Sequence, residues 1–466
     1  MNLSRRTFLQ RASCITLGFS GLSSVLAQRA MASRGWLTPP TGVGFGPLLP
    51  DPRKLLDLPA GFSYDLVIRS GDVMDDGLIR PSLPDGMAAF AGEDGRTVVI
   101  CNHEIQPGMR LHGPFGKNNE LLEKVDPAKV YDLGVEGPSR GGTSTIIYDT
   151  RGGQGPGKVE RSFMSLAGTE RNCAGGPTPW GSWITCEETV IRKGEFCRED
   201  HGYCFEVPSS ARGLVEPKPI LGMGRFMHEA CAVDAASGAV YLTEDRGDGL
   251  IYRYLPTKPG ELHAGGRLQA LAVRGRPSFD TGNHERQDVA VGSPLAVEWI
   301  DLEDIQSPDD SLRTRGFAKG AARFRRGEGM WAGSDGIYFC CTDGGSRKCG
   351  QIWRYRPSAA EGTKDEAEAP GMLELFIEPN DPTVLEHPDN ITVSPWGDLV
   401  VCEDGTGEQF LVGVTPGGRL YPIARNAASS SEFAGATFSP DGTTLFVNLQ
   451  GLGLTLAIRG AWGGER

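Results

Sequence analysis

One hairpin pattern recurs six times along this chain and leaves it few architectures. Each copy runs from a polar residue through a short apolar stretch, a turn containing Gly and a second apolar stretch, often to an acidic end. The copies are PDGMAAFAGEDGRTVVICNHE from Pro84, NCAGGPTPWGSWITCEE from Asn172, HEACAVDAASGAVYLTED from His228, GEGMWAGSDGIYFCCTD from Gly327, PDNITVSPWGDLVVCED from Pro388 and FAGATFSPDGTTLFVNL from Phe433. Apolar runs of strand length flanking a Gly turn read as β-hairpins. The turn glycines at 95, 181, 238, 336, 397 and 442 lie 45 to 98 residues apart. That is the spacing of blade-sized units of about 40–50 residues, some carrying insertions. The 65 Gly and 32 Pro suit turns, and only Asn119 to Lys129 reads as a short helix. The pattern predicts an all-β, six-bladed β-propeller with inter-blade insertions, its sheets radial to a channel. A large β-sandwich would not explain six copies of one hairpin.

The N-terminus reads as an address rather than as part of the fold. Ser4-Arg5-Arg6-Thr7-Phe8-Leu9-Gln10 is a twin-arginine signal, an apolar stretch follows from Ala12 to Ala27, and Ala30-Met31-Ala32 offers a cleavage site. Residues 1–32 are thus expected to be a signal peptide, 33–60 an N-terminal extension and 61–466 one propeller domain. The twin-arginine export machinery is the implied partner, with the folded protein delivered to the periplasm or secreted. No further segment reaches the roughly 20 apolar residues of a membrane span, so no anchor is expected after processing. A monomer is expected.

A net charge of −12 leaves no basic stripe for nucleic-acid phosphates, and an anion site must be made locally positive by metals or a focused Arg. None of the cysteines forms a C-x-x-C, which excludes zinc ribbons and thioredoxin-like sites. Cys197 and Cys204 are the best local disulfide pair. Cys101, Cys186, Cys340 and Cys402 sit in apolar runs and read as small buried hydrophobes.

In an antiparallel hairpin, the start of the first strand and the end of the second lie side by side, opposite the turn. Asp85 is therefore expected beside His103 and Glu104, and Cys173 beside Glu187 and Glu188. Likewise Glu229 meets Glu244 and Asp245, Glu328 meets Asp343, and Asp389 meets Glu403 and Asp404. Strand alternation sends Glu188, rather than Glu187, to the shared face. If these hairpins line one channel, their polar ends ring its mouth. So many carboxylates repel one another and raise each other's pKa values unless cations intervene. All-oxygen groups suit Ca²⁺ or Mg²⁺, and a thiolate among them suits a transition ion such as iron. Arg225, Arg323, Arg325 and Arg326 precede two of the hairpins and are candidate phosphate clamps. No G-x-S-x-G, P-loop or dinucleotide fingerprint is present. Metals with Arg point to metal-assisted hydrolysis of a phosphate ester.

Several blocks resemble the PhoX family, a group of exported bacterial alkaline phosphatases described as six-bladed propellers with a mixed iron and calcium cluster. They are the twin-arginine start, Cys101-Asn102-His103-Glu104, Asn172-Cys173-Ala174-Gly175-Gly176 with Thr178-Pro179-Trp180-Gly181 and Glu187-Glu188, Gly224-Arg225-Phe226-Met227-His228-Glu229, Pro388-Asp389-Asn390, and Phe438-Ser439-Pro440-Asp441-Gly442 leading to Leu445-Phe446-Val447-Asn448. The resemblance implies hydrolysis of phosphomonoesters, and of diesters, with a metal-bridging oxygen as nucleophile. It implies that Cys173, Glu229 and Glu328 hold an Fe³⁺ pair. Glu104, Glu188 and Asp389, with Asp404 or Asp343, would hold several Ca²⁺, and Arg326 would face the phosphate. The chain departs from the family at Gly327, where Pro is usual, and at Met227, where Lys is usual. It is also shorter than full-length members. Two other readings stay open: a calcium-dependent lactonase or esterase, since Pro388-Asp389-Asn390 on a propeller also occurs in gluconolactonase-like proteins, and a non-catalytic calcium-binding propeller.

Overall fold

A computed structural model describes residues 43–109, 111–151, 157–194 and 196–462. The proposed signal peptide lies outside the described residues. All six repeats form antiparallel hairpins: Pro84–Ala91 with Thr97–His103, Asn172–Pro177 with Ser182–Glu187, His228–Val233 with Val240–Glu244, Gly327–Gly333 with Gly336–Cys341, Pro388–Val393 with Leu399–Glu403, and Phe433–Phe438 with Thr444–Leu449. The first strand of each hairpin packs against the first strand of the next, and the last packs against Pro84–Ala91. The six first strands thereby enclose a common axis.

The arrangement is all-β and propeller-like, but the expectation of six separate sheets needs correcting. Four sheets stand alone, and a fifth has nine strands. Pro294–Asp301 pairs with Gly266–Val273 on one side and with Met372–Ile377 on the other, which joins the sheets of the third and fourth hairpins. This strand belongs to the longest interval between turn glycines. Both of its edges carry backbone groups that need partners, and the facing outer strands supply them. The chain closes on itself where Leu454–Arg459 pairs with Ser63–Arg69. Leu56–Pro59, within residues 33–60, adds a further strand beside Leu420–Asn426.

Sheets packed on both faces explain why the strands read as apolar runs rather than as alternations. Thr97–His103 is buried at all seven positions. The first strands approach so closely that side chains are excluded at some points. A Cβ on Gly86 would lie 2.6 Å from Ala174 Cα, and one on Gly329 would lie 2.6 Å from the Asp389 carbonyl oxygen. This narrow waist draws the neighbouring strand ends together.

Two local expectations fail. Asn119 to Lys129 holds only the 3₁₀ turns Leu122–Lys124 and Pro127–Lys129; Pro127 has no N–H to carry a helix through. The α-helix among the described residues is Leu312–Ala318, too short to give a periodic signal. Cys197 and Cys204 are not bonded: all ten described cysteines are free and buried. Cys204 instead faces Cys186 across paired strands, with the sulfurs 3.6 Å apart.

Candidate metal centre

The site is built from one backbone device repeated around the axis. Near the end opposite the turn, the strand pairing of every hairpin shifts register. In five hairpins the residue following the last paired position of the first strand is Asp85, Cys173, Glu229, Glu328 or Asp389. Such a bulge bends the strand and re-aims the side chain. The second strand then leaves the ladder at Glu104, Glu188, Asp245, Thr342, Asp404 and Gln450. Their backbone N–H groups donate to the carbonyls of Leu83, Arg171, Met227, Arg326, His387 and Glu432 at 2.9–3.3 Å. Each unit therefore offers a bulge residue, an exit residue and a lead-in residue. Four lead-in residues, Leu83, Arg171, Arg326 and His387, have φ between 48° and 56°. That left-handed conformation costs a non-glycine residue about 1–2 kcal/mol.

The side chains converge into linked groups of donor atoms, each group lying within 4.8 Å: Asp85, Glu104 and Cys173; Cys173, Glu188 and Glu229; Glu229, Glu328 and Asp389; Asp389, Asp404 and Glu432. Adjacent groups share a member, so the donors form a continuous arc. Neither oxygen of Glu229 has a hydrogen-bond partner, although the residue is fully buried. Asp85 Oδ1 and Glu188 Oε1 are likewise buried and unpartnered. Burial first, and neighbouring carboxylates second, push the carboxyl groups of Asp85, Glu229 and Glu328 far above the usual range. Asp389 is pushed up to about 7 by burial and by Asp404. Burial and Asp85 drive the Cys173 thiol upward in the same way. An uncompensated buried carboxylate costs several kcal/mol. A set of such groups with bare oxygens fits bound cations.

Two arginines offset part of this charge. Arg326 forks onto Asp245, with Nε 2.8 Å from Oδ1 and Nη2 3.0 Å from Oδ2, and Nη2 lies 2.7 Å from Glu328 Oε1. This last contact is an ion pair without hydrogen-bond geometry. Burial opposes the charge of Arg326, yet Glu328 and Asp245 hold its pKa above the ordinary value. The side chain remains 34% exposed, so it can meet a ligand. Arg171 reaches Glu104 at 2.8 Å and Glu188 at 3.1 Å. Gln450 Nε2 donates to Asp85 at 2.7 Å and to Glu104 at 2.8 Å.

Of the site residues expected from sequence, the structure brings together Cys173, Glu229, Glu328, Glu104, Glu188, Asp389 and Asp404, with Arg326 beside them. Asp343 lies outside these groups. Gly327 pairs with Cys341, so Thr342 takes the exit position and Asp343 falls one residue beyond it. The Asp343 carbonyl instead meets His284 Nε2 at 2.6 Å. The other candidate arginines are engaged elsewhere: Arg225 donates to the carbonyls of His201 and Ser307, Arg325 pairs with Asp280, and Arg323 lies over the Phe317 ring. Asp85 and Asp245, both named from sequence among the converging acids, take a bulge and an exit position, Asp85 in the arc and Asp245 on Arg326. Arg171 and Glu432, at lead-in positions, were not among the expected residues. Their shared place in the repeat is the signal that finds them. Glu187 and Glu244 turn to the opposite face, where Glu187 holds His201 and Glu244 accepts from Tyr252.

A family model described as alkaline phosphatase PhoX matches residues 43–453. Among solved structures, Pseudomonas fluorescens PhoX in complex with vanadate, a transition state analogue, superposes with a TM-score of 0.66 at 18% identity, covering 88% of this chain and 97% of that one. A Xanthomonas campestris gluconolactonase gives a TM-score of 0.39 at 11% identity, covering 90% and 99%. No curated protein matches the sequence.

Proposed function

The chain belongs to the alkaline phosphatase PhoX family, and from that premise we propose that the acidic arc is a metal-dependent phosphomonoesterase centre. The observation that carries this reading is Glu229, whose two oxygens are buried without a partner among other carboxylates and a thiol. In this reading Cys173, Glu229 and Glu328 hold an iron pair, and Glu104, Glu188, Asp389 and Asp404 hold calcium, with Asp85, Asp245 and Glu432 completing the shells. A thiolate suits the softer ion and carboxylates the harder one. When bound, the ions supply Lewis acidity toward the phosphoryl oxygens and the attacking oxygen.

The chain's own residues do the rest. Arg326, held by its fork on Asp245, keeps a permanent charge at the open side of the arc, where it clamps phosphoryl oxygens as charge builds on them. Arg171 ties Glu104 to Glu188 and so fixes two ligand carboxylates before any ion enters. Vanadate, a transition state analogue, is bound by the Pseudomonas relative, which supports reading the arc as a phosphatase centre. The reading includes removal of residues 1–32 after twin-arginine export. Among the described residues, no helix is long and apolar enough to cross a membrane.

The test is hydrolysis of a chromogenic phosphomonoester by the full chain with iron and calcium, before and after a chelator. Activity that is lost with the chelator, restored by both metals and inhibited by vanadate is the expected result. Hydrolysis that persists in the chelator, or lactone cleavage without phosphatase activity, would overturn it.

A further inference from the structure

Behind the acidic arc, on the side to which Glu187 at the end of Ser182–Glu187 turns, lies a second set of donors that the phosphatase centre does not use. Asp132, Cys197 and His201 are buried and bring one sulfur, one nitrogen and one oxygen within 4.8 Å of one another. His201 Nε2 is 3.1 Å from Asp132 Oδ2, and Nδ1 is 2.6 Å from Glu187 Oε1. Asp132 is fixed by backbone N–H groups: Gly134 and Arg198 donate to Oδ1, and Arg198 and Glu199 donate to Oδ2. Glu170, whose backbone N–H donates to Glu187 Oε1 at 2.8 Å, is 3% exposed, and its Oε2 has no hydrogen-bond partner. Glu170 and Cys197 line the same cavity, of about 280 Å³. Arg140, also on that cavity wall, is committed to the carbonyls of Met109 and Leu111.

We propose that Cys197, His201 and Asp132 form a second metal site, for a single borderline divalent ion of the zinc class, with Glu170 as the fourth donor. Mixed thiolate, imidazole and carboxylate ligation is the chemistry of Zn²⁺ and Co²⁺, and poor for Ca²⁺. A ligating histidine characteristically binds a carboxylate through its other nitrogen, which fixes ring and tautomer; Glu187 does this for His201. The cavity gives the ion a route in. The ion would also brace the strand end whose next residue, Glu188, belongs to the catalytic arc.

The test uses Co²⁺ alone, added to chelator-stripped full-length Cys173→Ser protein, so that the arc contributes no thiolate. A thiolate-to-cobalt charge-transfer band that saturates at one ion per chain is expected. It should vanish when Cys197→Ser is added, and Glu170→Gln in its place should weaken Co²⁺ binding at least about tenfold. Circular dichroism checks the fold of each variant, and the Glu170→Gln arm still decides if Cys197→Ser does not fold. No band in the Cys173→Ser protein would mean an imidazolium clamped between two carboxylates with no ion, and would overturn the proposal. So would a band that survives Cys197→Ser, or Co²⁺ affinity unmoved by Glu170→Gln.

Discussion

Stripping the metals should reverse the way stability responds to pH. Asp389 carries the argument because burial and Asp404 hold its carboxyl at about 7, against about 3.9 in an unfolded chain. The folded value stands above the unfolded one, so the protonated form favours folding. That stabilisation is complete below about pH 4 and is lost as pH rises through 7. Between pH 6 and pH 8 the loss from Asp389 alone is about 1 kcal/mol, and each neighbouring carboxyl that ionises in this interval adds a similar amount. Asp85, Glu188, Glu229 and Glu328 are displaced in the same direction, burial being the first cause in each. Bound cations remove the penalty by making the charged form the favoured one. Glu244, held at about 7 by burial and facing away from the arc, contributes equally with and without metal. The assay is urea unfolding of chelator-treated and of iron- and calcium-loaded protein at pH 6 and pH 8. Stripped protein should lose at least about 1 kcal/mol more than loaded protein over that interval. Equal losses, or stripped protein more stable at pH 8, would refute the electrostatic reasoning.

Other outcomes follow from single residues. Glu229→Gln should lower kcat for a phosphomonoester by about a hundredfold or more while the fold survives, since it removes the best-buried carboxylate of the arc; unchanged kcat would remove Glu229 from the centre. Arg326→Lys keeps the charge but loses the fork, and KM should rise about tenfold; an unchanged KM would place the phosphate elsewhere. Gly86→Ala pushes a methyl into the Ala174 backbone and should cost about 1–3 kcal/mol of stability, read from its unfolding midpoint. Adding iron and calcium to stripped protein at pH 7 should release at least about one proton per chain, because Cys173 and half of Asp389 must ionise; calorimetry in buffers of different ionisation enthalpy measures the release.

Much of the centre was legible because hairpin geometry converts sequence position into spatial position. Once the repeat is seen, Cys173 and Glu188 must share an end, and alternation separates Glu188 from Glu187. The errors arose where one residue of register matters. Asp343 looked equivalent to Glu104, but the pairing of Gly327 with Cys341 makes Thr342 the equivalent residue. Asp245 was seen as part of a pair, yet nothing in its own neighbourhood ranked it above Glu244. Arg171 and Glu432 could be recognised only through the lead-in position, which is defined by a backbone hydrogen bond rather than by a residue type. The fusion of two sheets through Pro294–Asp301 depends on which edges lie within reach, a property of the folded chain. Cys197 looked like a disulfide partner because it lies close in sequence to Cys204; the strand pairing instead gives Cys204 to Cys186 and leaves Cys197 with His201.

The central claim, that the arc is a mixed metal centre, is tested most directly by elemental analysis of the folded protein. Iron together with more than one calcium per chain is the expected result, with iron lost in Cys173→Ser. One calcium and no iron, or iron retained in Cys173→Ser, would contradict it.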